Sequence, residues 1–126
     1  MSFLKNRIKS FGYAFKGLAD LFRSQPNARI HGVATLFAIG LGWLLAISTT
    51  EWCLVLISIT MVISAEAFNT ALEYLTDLVS PDFNPLAGKT KDVAAAGVLL
   101  TAINAAIIGT IIYVPKLLEY LAKLNN

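Results

Sequence analysis

Three long apolar stretches constrain this chain more than any other feature of it. Ile30 to Thr49 carries no formal charge with His31 neutral, Trp52 to Ala65 carries none before Glu66 interrupts, and Val93 to Val114 carries none at all. A helix needs ~20 apolar residues to cross the hydrocarbon core of a bilayer, so three crossings use about half of a 126-residue chain. Only 14% of the residues are charged and 56% are hydrophobic, whereas a soluble domain is about 25% charged. The expected fold is all-α and integral to a membrane, one domain over 1–126, with spans at 30–49, 52–79 and 93–114. The remaining residues are too few for a soluble domain with a core of its own. An active site on such a chain must lie on or beside the spanning helices, and between subunits.

The same inventory excludes several classes. A net charge of +2 without a basic-aromatic patch gives no reason to expect a nucleic-acid partner. One cysteine, Cys53, rules out an intrachain disulfide, and with the single His31 it cannot make a His/Cys metal site. No long apolar segment followed by a small-residue cleavage site marks a signal peptide at the N-terminus.

Residues 2–23 read as an amphipathic helix. Leu4, Ile8, Phe11, Phe15, Leu18 and Phe22 recur at spacings of four and three, with Lys5, Lys9, Lys16 and Arg23 on the polar part. Such a helix lies in a membrane interface. Gln25-Pro26-Asn27 breaks it, because Pro disfavours helix at the residue before it. Ser48 to Glu51 reads as a short turn, Trp52 as an interfacial anchor, Pro81 to Asp92 as a loop, and Pro115 as the stop of the third span. Gly97, Thr101, Ala105 and Gly109 form a small-residue stripe of the kind that lets helices approach closely in lipid. Lys and Arg concentrate before Ile30 and at Lys89 and Lys91, which places the N-terminus and the Pro81–Asp92 loop in the cytoplasm.

The second span carries the chemistry. Glu66, Asn69, Thr70, Glu73 and Asp77 fall within roughly a 100° arc at ~100° per residue. A carboxylate near mid-membrane costs about 2.5–3.5 kcal/mol on insertion scales, so this face has a use other than contact with lipid. Trp52 to Ala65 spans ~21 Å of helix, which leaves Glu66 inside the cytoplasmic boundary of a ~30 Å core. Glu73 reaches the headgroup zone. One carboxylate is therefore within reach of a lipid hydroxyl, the other within reach of a metal and a water-soluble cosubstrate. Gly88-Lys89-Thr90 superficially resembles the end of a P-loop, but position 83 is Phe where that motif needs Gly. Lys91, next to the expected start of the third span, is instead a candidate phosphate contact beside free helix N–H groups.

Gly12-Tyr13-Ala14-Phe15-Lys16-Gly17, Arg29-Ile30-His31, Glu66-Ala67-Phe68-Asn69-Thr70-Ala71-Leu72-Glu73, Asp77 and Ala87-Gly88-Lys89-Thr90-Lys91-Asp92 stand in one order. With them the chain resembles the bacterial integral-membrane diacylglycerol kinase/undecaprenol kinase family from about Gly12 to Leu99. The resemblance implies a homotrimer of three-span subunits in the bacterial inner membrane, each with an amphipathic surface helix and with cytoplasmic active sites shared between subunits. It implies transfer of the γ-phosphate of ATP, with Mg²⁺, to the hydroxyl of a lipid. Glu66 matches the catalytic base and Glu73 a magnesium ligand, while Asn69, Lys91 and Asp92 match residues that organise the site and the nucleotide. Tyr13, Asp82 and Asn84 match nucleotide-contacting positions, and Asn27, Arg29 and Ala95 fall on the lipid-substrate side. Two departures stand out. Gln25 replaces an expected metal-binding Glu, and its amide oxygen can ligate Mg²⁺ only without charge. Ala95 stands where diacylglycerol-using members can have Ser, which favours a polyprenol acceptor.

The chemistry agrees with the residues. A lipid hydroxyl is a poor nucleophile unless its proton is removed as it attacks, and phosphoryl transfer otherwise requires positioning and charge neutralisation. The competing reading is a small homo-oligomeric channel or proton-coupled transporter lined by Glu66, Asn69 and Glu73. A non-catalytic assembly subunit is a third. Clustering of Glu73, Lys91 and Asp92 at one end favours the kinase.

Overall fold

A computed structural model describes residues 2–125. They form four helices: α1 (Phe3–Ser24), α2 (Pro26–Leu44), α3 (Thr49–Val79) and α4 (Pro85–Leu124). No strand occurs among the described residues.

Local chemistry explains each junction. Pro26 is the first residue of α2, and Gln25 before it is extended, with φ −105° and ψ 114°. Its backbone N–H still donates to the Leu21 carbonyl at 3.0 Å, so one residue both ends α1 and begins α2. Helix α2 closes with Ile47 N–H on the Gly42 carbonyl at 3.2 Å and Ala46 N–H on the Trp43 carbonyl at 3.3 Å. This pair of bonds is the Schellman pattern. It places Ala46 at φ 47°, a left-handed position that usually takes Gly. Ser48 then starts α3 with a capping box. Its hydroxyl accepts from Glu51 N–H at 3.3 Å, and its own N–H donates to Glu51 Oε2 at 2.6 Å. The side chain of Asn84 caps α4 by accepting from Leu86 N–H at 2.8 Å, with Pro85 behind it.

Several boundaries differ from those read off the sequence. Helix α2 runs from Pro26 to Leu44 rather than from Ile30 to Thr49, since its Schellman closure turns the chain before the apolar run ends. The Ser48–Glu51 turn is the first turn of α3. Most of the expected Pro81–Asp92 loop is helical, because Asn84-Pro85 is an N-terminal signal. Lys91 therefore lies beyond the first turn of α4, away from its free N–H groups. Pro115 does not stop α4, which continues to Leu124. On either side of it, Tyr113 Oη donates to the Ala38 carbonyl at 2.9 Å and Lys116 Nζ lies 3.3 Å from Glu51. These contacts hold the helix on course where proline removes one backbone bond.

The most extensive packing is between α3 and α4. The core forms at the end of the molecule remote from Glu66, where Ile47, Val55 and Ile112 are buried against Leu45, Trp52, Ile59, Ile108 and Tyr113. Trp43 and Trp52 meet there with ring centroids 5.7 Å apart. Helices α3 and α4 are long and apolar enough to cross a membrane; α2 does not qualify among the described residues, since Asn27, Arg29 and His31 occupy its first turns. Only 11% of the most apolar segment of α4 is buried by the chain itself, so its outer surface is apolar and uncovered. The small-residue stripe does not bring backbones together within the chain. A Cβ at Gly97 would meet nothing, and one at Gly109 only Tyr113 of its own helix, at 3.9 Å. Ala105 and Gly109 border a cavity instead.

Helix α1 leaves Phe3, Leu4, Ile8, Phe11, Phe15 and Leu18 exposed, and buries Leu21. Its C-terminal half docks on α3 through polar contacts. Tyr74 Oη donates to Asp20 Oδ2 at 3.0 Å and lies 3.0 Å from Ser24 Oγ. The Phe22 ring packs on Gly32, where a Cβ would come within 3.0 Å of it.

Candidate active site

The helical period of α3 sorts its polar residues by depth. Glu66, Asn69 and Thr70 are buried, Glu73 is half-buried and Asp77 is exposed. Glu66 is 2% exposed, the most completely buried large side chain described. Glu66 Oε1, Asn69 Oδ1 and Thr70 Oγ1 are all buried without a hydrogen-bond partner. Three orphaned oxygens on adjacent positions are a costly arrangement for the fold alone, at about 1–3 kcal/mol each. They form one buried polar face on α3.

Neighbouring contacts aim two of these residues. Asn69 Nδ2 donates to Glu73 Oε1 at 3.0 Å, a pairing one turn apart that fixes the Glu73 carboxylate. His31 of α2 brings Nε2 to 3.3 Å from Glu66 Oε1. The pair does not meet full hydrogen-bond geometry here, and the imidazole stands directly beside that oxygen. Further along α3, Asp77 and Lys91 form an ion pair that joins the end of α3 to α4.

The remaining sequence candidates are spread around this line. Gln25 is half-buried at the α1–α2 corner. Asn27 and Arg29 are exposed on the first turns of α2, and Asp92 and Ala95 are exposed on α4. Tyr13 is 68% exposed on α1, with Lys16 Nζ 5.9 Å from its ring centre. Asp82 sits in the bend between α3 and α4, and Asn84 spends its side-chain oxygen on the helix cap. The chain thus gathers Glu66, Asn69 and Glu73 on one face and ties Lys91 to Asp77. No described contact joins Asp92, Tyr13, Arg29 or Ala95 to that face. Among the described residues no group of three or more His, Cys, Asp or Glu side chains could hold a metal ion. On this face of α3, Glu73 offers a half-buried, oriented carboxylate. That fits Mg²⁺, which commonly takes one or two protein carboxylates with waters and substrate phosphates as its other ligands. Sequence reasoning missed His31 as a neighbour of Glu66. The available signal was a lone imidazole in the first turns of an otherwise apolar helix.

Known proteins are similar to this chain in sequence. The profile of the prokaryotic diacylglycerol kinase family matches residues 12–113. An undecaprenol kinase of Bacillus subtilis is 35% identical over 114 residues, covering 90% of this chain and 93% of that protein. A diacylglycerol kinase of Synechocystis is 41% identical over 118 residues, covering 90% of this chain and 66% of that protein. A diacylglycerol kinase of Escherichia coli K12 is 32% identical over 100 residues, covering 79% and 82%. With its buried carboxylate face inside the matched region, the chain belongs to the prokaryotic diacylglycerol kinase family and is a phosphotransferase.

Proposed function

We propose that the protein is a lipid kinase that moves the γ-phosphate of ATP to the hydroxyl of undecaprenol or diacylglycerol. The observation that carries this reading is Glu66: a fully buried carboxylate on an otherwise apolar helix, on the same face as an oriented Glu73. The seven-residue separation is ~10 Å along the helix, so a lipid hydroxyl at Glu66 and a nucleotide phosphate near Glu73 can approach each other.

In the reaction the lipid oxygen bonds to the γ-phosphorus as Glu66 takes the hydroxyl proton. The bond from the γ-phosphorus to the β,γ-bridging oxygen breaks, and its electron pair leaves with ADP. Asn69 holds Glu73 in place. Glu73, with the neutral oxygen of Gln25 as a second donor, would hold Mg²⁺, which when bound neutralises phosphate charge. Lys91 and Asp92 serve the nucleotide, with Tyr13, Asp82 and Asn84 around it, while Asn27, Arg29 and Ala95 face the lipid. Ala95, lacking a hydroxyl, favours the polyprenol.

The exposed apolar surface supports a membrane setting. We take α2 as a third crossing and α1 as a helix in the cytoplasmic interface of the bacterial inner membrane, its Phe and Leu side chains in lipid and its Lys and Arg toward headgroups. The uncovered apolar faces of α3 and α4 suit lipid and two further copies, in a homotrimer whose subunits complete each other's sites. A pore is the weaker reading, because the cavity between the helices is lined mostly by Ala, Val and Ile rather than by the carboxylates.

The test is phosphotransfer by the purified protein from γ-labelled ATP, with Mg²⁺, to undecaprenol and to diacylglycerol in micelles. Labelled lipid is expected, and Glu66→Gln is expected to lose at least ~100-fold of the rate, the usual share of a general base. Folded protein that labels neither lipid refutes the kinase reading, and a near-normal Glu66→Gln removes that residue from its role.

A further inference from the structure

The geometry points to His31 as a positioning residue for Glu66, an inference that rests on the base assignment above. His31 is the chain's only histidine, and the reaction scheme leaves it unused. It reaches across from α2, its side chain 24% exposed, to put Nε2 at 3.3 Å from Oε1 of a carboxylate that is 3% exposed. On its other side it borders a cavity of about 270 Å³, together with Ala34, Ala38, Val62 and Ala105. Thr35, Ser58 and Tyr113 also line that cavity, but the Glu66 carboxylate is the described partner of the imidazole.

A base must be held as well as buried. Glutamate has three rotatable side-chain bonds, and groups on its own helix do not restrain this one. Asn69 Nδ2 is committed to Glu73, and the Thr70 hydroxyl is without a partner. The restraint therefore comes from another helix. With its proton on Nε2, His31 donates to Oε1 and leaves the second oxygen to receive the lipid's proton; the imidazole keeps its own proton throughout. The imperfect alignment in the substrate-free chain is what such contacts show before the complex tightens. A neutral donor also suits the task, since a permanent cation at this distance would weaken the carboxylate as a base.

His31→Leu keeps bulk in an apolar helix and removes the donor; His31→Gln restores an N–H. In the assay above, with undecaprenol and with diacylglycerol, His31→Leu is expected to lower kcat by about 10–100-fold, as a misplacement of ~1 Å does. KM for ATP and for lipid should remain within about threefold, and His31→Gln should recover most of kcat. In a Glu66→Gln background, His31→Leu should cost nothing more, because the group it positions is already gone. A wild-type kcat in His31→Leu, a loss confined to KM, a His31→Gln as slow as His31→Leu, or a further loss in the double variant each overturns the inference. Glu66→Gln separates the two levels. If that variant stays active, the base assignment fails; if it is inactive while His31→Leu is normal, only the role of His31 fails.

Discussion

Replacing Asn69 with Leu should lower activity without lowering stability, and the structure explains why the two separate. Asn69 does two things: its Nδ2 donates to Glu73 Oε1 at 3.0 Å, and its Oδ1 is buried with no partner. Leucine of similar size removes both. Hydrogen bonds to charged groups contribute about 1.5–3 kcal/mol. Glu73 is only half-buried, so the low end applies, and ~1.4 kcal/mol is a factor of ten. The expected effect on the carboxylate's hold on Mg²⁺ is thus about tenfold. An unsatisfied buried acceptor costs about 1–3 kcal/mol, so removing it offsets the lost bond to Glu73 and leaves the fold about as stable. The assay is the initial phosphotransfer rate across a Mg²⁺ titration, beside thermal unfolding of the same samples in detergent. Half-saturation should move up about tenfold while the unfolding temperature holds. An unchanged Mg²⁺ dependence would refute the coupling of Asn69 to Glu73 as a functional unit. So would an unfolding temperature that drops with activity at every Mg²⁺ concentration.

Other substitutions test the frame around the site. Ala46→Gly relieves a left-handed residue at φ 47°, a conformation that costs a non-glycine about 1–2 kcal/mol, and should raise the unfolding temperature; no rise would mean the turn is unstrained. Gly42→Ala should do the opposite. Its Cβ would lie 2.8 Å from Trp52 Cη2 and 3.1 Å from Ile47 Cδ1, an overpacking worth about 1–3 kcal/mol that a lower unfolding temperature would register. Tyr74→Phe removes the bond to Asp20, about 0.5–1.5 kcal/mol, and should speed backbone hydrogen exchange in the C-terminal half of α1 several-fold; unaltered exchange would show that other contacts hold α1.

Much of the architecture could be read locally. The spacing of Leu4, Ile8, Phe11, Phe15 and Leu18 implies one helix face, and these residues are exposed together on α1. The arc from Glu66 to Asp77 needs only the helical period, and the structure buries its inner members. The capping box at Ser48 and Glu51 was also legible as a Ser followed three residues later by Glu, so α3 begins before the apolar run at Trp52. Pro115 shows where local rules mislead. Proline should end a helix, yet contacts from Tyr113 to α2 and from Lys116 to Glu51 lie on either side of it, and α4 continues.

The sequence by itself determined the solvent, the helical class and the presence of a carboxylate face, because each depends on composition or on the repeat of a single helix. Tertiary structure decided which groups on other helices meet the two ends of that face. His31 reaches Glu66 and Lys91 meets Asp77, while the Gly97–Gly109 stripe borders open space. Such meetings depend on how helices cross and rotate against one another, and no period along one helix encodes the position of its neighbour.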